Sequence, residues 1–551
     1  MFPRYIVVLA LFLTAFLLVL MPATMLWDWD EPLYARTGIE MFQSGDLMMP
    51  RFNGETFAHK PPLGYWLMGL SALVFGETEF GARFFSGPAI GLSALLLYSI
   101  AREMFGSYVA KKSVIVFGTG LMTLYLGAAA MLDAVLLLGM MLSMWAVVKI
   151  LYRPQLKVYN LAKLLAAFGL GMLVTMLVKG LVGPVLLGAT VTSIWVALPS
   201  SRRPSFRDYW GLVLAGLIAL GGFLVWFIPV NILSGGELVS EGIMVHIVGR
   251  ALSPMEGHGG QGLFGYLIFL PVYVPVILLL FMPWGVYIPA LFWGCKSRFV
   301  ENSKEWTILC AWFFSTFVIF SLAATKLPHY IFPVSAPLAI AISALILSGK
   351  KRTSPNWVGL VLLAFFYVGL GGVIIWAGLT FAVQSHSIAV VSAGLFFIGF
   401  AAWVITRRAR NNLPHELAVG SIISVFALYW GVMPGLEPTF KISRELGEAI
   451  TENTRADAAI YMAGYSEPSL IFYASRDVSH PIRETSLRAF GELLQGVHAG
   501  YLVISSQERK TFEENYPSVE FIQISSHSAY NFNKNGVLEY VYLLRWSVEP
   551  D

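Results

Sequence analysis

Thirteen runs of about twenty apolar residues fill most of the sequence, at 5–22, 82–101, 112–130, 131–151, 161–178, 180–198, 209–232, 265–292, 306–324, 329–348, 357–379, 385–406 and 416–434. Each is long enough to cross a hydrocarbon core of about 30 Å as a helix rising about 1.5 Å per residue. Lipid offers no partner to an exposed backbone amide, so the pattern predicts a polytopic α-helical membrane protein. Charged residues make up only 13% of the 551 positions, against roughly 25% in ordinary soluble domains, which excludes a soluble enzyme. The 37 Lys and Arg exceed the 33 Asp and Glu by four and are dispersed, so no basic tract argues for a nucleic acid partner. Two cysteines, Cys295 and Cys310, build neither a disulfide framework nor a thiolate metal site. The first run follows Arg4 and lacks a small-residue cleavage site before Trp27, so it reads as a retained helix.

Lys and Arg gather in every second loop: Arg102, Lys111 and Lys112; Arg153, Lys157 and Lys163; Arg202, Arg203 and Arg207; Lys296, Arg298 and Lys304; Lys350, Lys351 and Arg352; Arg407, Arg408 and Arg410. The positive-inside rule puts those loops and the N-terminus in the cytoplasm. An odd number of spans then leaves residues 436–551 outside, in the periplasm of a bacterial cell, with the chain in the inner membrane. This last segment changes composition and reads as a soluble α/β domain following a membrane domain at 1–435. Strands are expected at 459–462, 501–504, 519–524 and 537–544, with helices near 443–452 and 507–515.

Two outer loops are long, 23–81 and 233–264, and the isolated charges lie on their side. Asp133, Lys179 and Lys326 are each the lone charge of a long apolar stretch and each falls at an outer turn. Charges in such places are costly to desolvate and tend to face a polar cavity. Asp28, Asp30, Glu31, His59 and Lys60 project from the first long loop, and His246 and Arg250 from the second. Taken singly, each has a plainer reading: an interfacial lysine that snorkels, a solvated loop, or, for His246 and His329, a structural hydrogen bond. In combination, Lys60, Lys179, Arg250 and Lys326 suit a phosphate near the membrane surface. Asp30, Glu31 and Asp133 can orient or deprotonate an acceptor or hold a divalent cation. Tyr34, Tyr65 and Tyr330 supply hydroxyls and rings of the kind that bind sugars. No phosphate-binding P-loop and no serine elbow is present, so nothing points to a nucleotide-driven pump.

Asp30-Glu31-Pro32-Leu33-Tyr34-Ala35, Lys60-Pro61-Pro62 with Tyr65-Trp66, Leu132-Asp133, Lys179-Gly180 and the Lys326–Pro333 segment occur in order. Together with Gly464–Leu470, this set resembles the bacterial lipid A aminoarabinose transferases, within the wider dolichyl-phosphate-mannose-protein mannosyltransferase-like superfamily. The resemblance implies a GT-C fold and an inverting transferase that moves a sugar from a polyprenyl-phosphate donor to an extracytoplasmic acceptor such as lipid A. It implies Asp30 and Asp133 at the catalytic acid positions and Lys60 and Arg250 on the donor phosphate. Glu31, Tyr34, Tyr65, Lys179, His246, Lys326 and Tyr330 are expected around the substrate. Leu33 and His59 depart from the Arg and Glu that these transferases often carry, so another sugar (galactosamine, galacturonate or mannose) or a protein acceptor remains open. A metal requirement is not fixed by any spacing.

A transporter or flippase is the competing class. It would be expected to show repeated halves and charges near the bilayer midplane, whereas here the halves lack symmetry and the charges sit at outer turns. A binding module on a membrane anchor would need a single span.

Overall fold

The computed structural model describes residues 2–153, 157–255, 259–260, 262–293, 303–347, 354–408, 410, 412–531 and 536–548. Cys295 and the basic residues Lys296, Arg298, Lys350, Lys351 and Arg352 lie outside them. Eleven of the described helices are long and apolar enough to cross a membrane. The two further spans expected from the sequence are the return leg of one long helical stretch and a helix of 16 residues.

The first case is the 40-residue helical stretch Glu79–Gly118, which holds Gly106 at φ 82° and ψ 174°, outside helical geometry. Lys111, just beyond the break, lies 5.4 Å from the ring centroid of Tyr5, at the start of the first span. Further on, the Ser86 hydroxyl donates to the Ala129 carbonyl at 2.6 Å. The chain therefore runs away from Ser86, turns at Gly106 and comes back level with its starting point, making two crossings. The second case is Val182–Ala197, an apolar helix of 16 residues. Parity supports the larger count: Asp28, after the first span, accepts a hydrogen bond from Ser469, after the last, so both lie on one face and the total is odd. Among the described residues, the eleven long helices and these two further crossings agree with the thirteen expected.

Small residues let the spans carrying the isolated charges approach closely. A Cβ on Gly139 would fall 2.8 Å from the Gly171 carbonyl oxygen, so the helices Asp133–Tyr152 and Val158–Lys179 meet backbone to backbone. That hairpin brings Asp133, at the first residue of one helix, beside Lys179, at the last of the other.

Between the first two spans, helices Asp30–Ser44 and Leu63–Phe75 lie against the site face. The buried carboxylate of Glu31 fixes the first of them. It accepts from Arg83 Nη2 at 2.7 Å and Nε at 2.9 Å, from the Ala130 amide at 2.6 Å and from the Trp27 amide at 2.8 Å. A carboxylate in a helix's first turn also complements the helix dipole.

Beyond the last span, strands Ile482–Glu484, Ile460–Ala463, Ala499–Ser505, Val537–Val548 and Val519–Asn531 form one five-stranded sheet in that spatial order. The first three are parallel and the last two join antiparallel. The strand at Ile482–Glu484 has three residues, too short to show alternation in the sequence. Alternate faces of the sheet bury separate apolar clusters, one around Ile460, Val503 and Leu543 and the other around Leu502, Leu544 and Trp546.

Candidate functional site

A cavity of about 280 Å³ lies where the Asp30 helix, the Asp133–Lys179 hairpin and the segments around Arg250 and Tyr330 converge. Asp30, Tyr34, Lys60, Asp133, Lys179, His246, Arg250 and Tyr330 all line it, although the chain separates the first from the last by 300 residues. One wall is apolar: Leu181, Val182, Val185 and Leu186 from one side, Ile319 and Phe320 from another. Leu181 and Val185 are 37% and 52% exposed along a membrane helix, so this wall continues onto the lipid-facing surface. A polar end joined to a greasy exit suits an amphiphile carrying a phosphate.

The polar end is held by pairing. Lys179 Nζ donates to both carboxylate oxygens of Asp133 at 2.9 Å and lies 5.7 Å from the Tyr330 ring centroid. Arg250 Nη1 donates to the Tyr330 hydroxyl at 2.8 Å. Tyr34 sits beside Asp30, and burial, then the Asp30 carboxylate, hold its phenol well above the usual range, so it remains a hydrogen-bond donor.

Next to Lys60 the two loops meet through a histidine pair, His246 Nε2 and His59 Nδ1 being 3.2 Å apart. Burial, then Lys60, His59 and Arg250, push His246 down to about 3; burial also lowers His59. Both rings are therefore neutral at pH 7, the form in which imidazole binds metals. Glu241 completes a group whose donor atoms all lie within 4.8 Å of one another. Two imidazoles and a carboxylate are a donor set that fits a divalent ion such as zinc. A cation bound there would pin one long loop to the other beside Lys60. The acidic set Asp30, Glu31 and Asp133 considered for this purpose in the sequence does not form such a group.

Four residues expected at the cavity lie elsewhere. Glu31 is committed to Arg83 and two backbone amides, and acts as a strut behind Asp30. Tyr65 is fully buried 6.0 Å from the Tyr34 ring and backs the cavity without lining it. Lys326 turns back on the end of the Ser303–Leu322 helix, where Nζ donates to the carbonyls of Phe320, Ser321 and Ala323. It neutralises the negative helix terminus. Asp28 points toward the C-terminal sheet region, accepting from the Ser469 amide at 2.9 Å and hydroxyl at 2.5 Å. Conversely, His329 lines the cavity, although a structural role was the plainer reading. Its signal was its place between Lys326 and Tyr330 in one motif.

The apolar helices of the described residues, the loops gathered at the cavity and its charged lining describe an integral membrane protein of the GT-C fold. The family model for dolichyl-phosphate-mannose-protein mannosyltransferase matches residues 59–228. An undecaprenyl phosphate-alpha-4-amino-4-deoxy-L-arabinose arabinosyl transferase of Edwardsiella ictaluri is 29% identical over 371 residues, 66% of this chain and 63% of that one. The second such enzyme of Pseudomonas fluorescens is 28% identical over 80% of this chain and 73% of its own length. The match thus spans under two thirds of the Edwardsiella relative. Among solved structures, ArnT from Cupriavidus metallidurans bound to undecaprenyl phosphate superposes with a TM-score of 0.76 at 19% identity, covering 98% of both chains. The archaeal oligosaccharyltransferase AglB of Archaeoglobus fulgidus reaches 0.50 at 12% identity, over 98% of this chain and 74% of that one. Over residues 59–228 the chain is similar to the dolichyl-phosphate-mannose-protein mannosyltransferase family, and over longer stretches to the bacterial aminoarabinose transferases.

Proposed function

We propose that this chain is an inverting glycosyltransferase that moves 4-amino-4-deoxy-L-arabinose from undecaprenyl phosphate to lipid A on the periplasmic side of the bacterial inner membrane. The observation that carries the reading is the joining of Lys60, Arg250 and Lys179 to Asp30 and an apolar exit in one cavity. The relatives' names supply the sugar and its carrier. Residues 1–435 form the catalytic membrane domain in this reading, and residues 436–551 a periplasmic domain that braces the first long loop.

The donor enters along the wall of Leu181, Val182 and Val185, with its isoprenoid chain in the membrane. Lys60 and Arg250 hold its phosphate, and Tyr330 fixes the Arg250 guanidinium. As the glycosidic bond breaks, negative charge grows on the leaving phosphate, and these cations stabilise it. The acceptor attacks the anomeric carbon from the opposite face, and a single displacement inverts that centre. A lipid A phosphate is already anionic at pH 7, so Asp30 orients the acceptor and stabilises positive charge developing on the sugar. A hydroxyl acceptor would instead need Asp30 as general base. Asp133 is paired with Lys179 and serves to position that cation. Mixing donor, lipid A and purified protein tests the reading: it predicts release of undecaprenyl phosphate together with a glycosylated lipid A. Release of undecaprenyl phosphate and free sugar without glycosylated lipid A would mean that water, not lipid A, accepts the sugar, and would contradict the reading.

A further inference from the structure

A second pocket, of about 700 Å³, opens at the far end of the helices that build the first. It is lined by Phe2 from the chain start, Tyr98, Arg102 and Glu103 before the turn at Gly106, Trp145, Lys149 and Arg153 at the end of the Asp133–Tyr152 helix, and Lys163 near the start of the Val158–Lys179 helix. Asp133 and Lys149 are separated by about 24 Å along one helix, as are Lys163 and Lys179 along the next, taking 1.5 Å per residue. The two pockets therefore lie close to a hydrocarbon thickness apart, and the second sits at head-group depth on the opposite membrane face.

Four cations line it against one carboxylate. Glu103 pairs with Lys149 and with Arg153, whose Nε lies 3.3 Å from it. Arg102 and Lys163 make no ion pair among the described residues, and both are exposed at the rim. Trp145 lines one wall, its indole N–H donating to Ser99 Oγ at 2.9 Å. Phe2 and Leu164 add apolar surface where acyl chains would begin. Cations over a wet cleft, with aromatic and aliphatic walls below, match a lipid's polar head and the start of its tails.

We infer that this pocket binds the phosphate-bearing head group of an anionic membrane phospholipid, at a site separate from the donor cavity. The phosphate meets Arg102 and Lys163 at the rim, while Lys149 and Arg153 hold Glu103 neutralised behind them. The bound lipid bridges Phe2, Arg102, the end of the Asp133–Tyr152 helix and the start of the Val158–Lys179 helix. Its occupancy is independent of the transfer chemistry.

The test uses the full-length protein in nanodiscs of phosphatidylcholine doped with phosphatidylglycerol, with retained lipid read by native mass spectrometry. The proposal predicts preferential retention of phosphatidylglycerol by the wild type and by Lys60→Gln. It predicts about tenfold lower affinity in the double variant Arg102→Gln/Lys163→Gln, since each loses a charge beside an anionic surface. The charge-keeping pair Arg102→Lys/Lys163→Arg should restore it, separating charge loss from misfolding. Equal retention of both lipids, unchanged retention in the Gln double variant, or loss on Lys60→Gln would overturn the assignment. Displacement of the lipid by millimolar inorganic phosphate would assign the pocket to a free anion instead.

Discussion

Lys179 Nζ stands 2.9 Å from each carboxylate oxygen of Asp133, with the two side chains 14% and 2% exposed. Removing one partner of a buried pair strands the other charge, at a cost of about 3–5 kcal/mol, whereas removing both is often close to neutral. Lys179→Met should therefore destabilise more than the neutral double variant Asp133→Asn/Lys179→Met. Thermal unfolding in detergent reads the difference. Equal melting temperatures would mean that the pair carries no coupling.

The Arg250–Tyr330 bond makes a kinetic prediction. Tyr330→Phe removes one charged hydrogen bond from the Arg250 guanidinium, worth about 1.5–3 kcal/mol, so the KM for the donor should rise about tenfold with kcat changed less. Arg250→Gln should raise it further. Steady-state assays over donor concentration check this; an unaltered KM in both variants would remove Arg250 from the phosphate.

Lys326 provides the contrast. It caps helix carbonyls and lies outside the cavity. Lys326→Met should cost about 1–2 kcal/mol of stability by leaving those carbonyls unmet. The donor KM of the folded fraction should stay at the wild-type value. A raised KM would return Lys326 to the binding site.

Asp28 links pH to the contact between the first loop and the C-terminal sheet region. Burial, then Glu467, raise its carboxyl to about 6 from 3.8, and hydrogen bonds from Ser469 lower it again in part. A folded-state pKa above the unfolded value favours the docked form most below about 4, and that contribution is lost as pH rises through 6. Protection of the amides around Ser469, taken as exchange relative to the intrinsic rate at each pH, should accordingly be greater at pH 5 than at pH 7.5. Asp28→Asn should remove the difference, and a difference that persists would place its source elsewhere.

Spans and strands follow from patterns local in the chain, and these were readable. Apolar runs marked the eleven helices long and apolar enough to cross a membrane among the described residues, and also the return after Gly106 and the shorter Val182–Ala197 helix. Isolated charges at outer turns likewise located Asp133 and Lys179 beside the cavity. What the sequence could not tell was direction. Asp30 and Glu31 are adjacent, and helix geometry turns them about 100° apart, so one enters the cavity while the other meets Arg83. Lys326 was a lone charge like Lys179, but a helix terminus lay within its reach. The His59–Glu241–His246 group was illegible for another reason: Glu241 and His246 share the helix Leu238–Gly249, but their third partner, His59, comes from the other long loop and joins them only when the loops fold together.

Asp30→Asn carries the central claim most directly, because it keeps the side chain's size and removes its charge. With donor and lipid A supplied to folded protein, the wild type should yield glycosylated lipid A and free undecaprenyl phosphate, and the variant neither. Wild-type turnover in Asp30→Asn, or no sugar transfer by the wild type itself, would contradict the account.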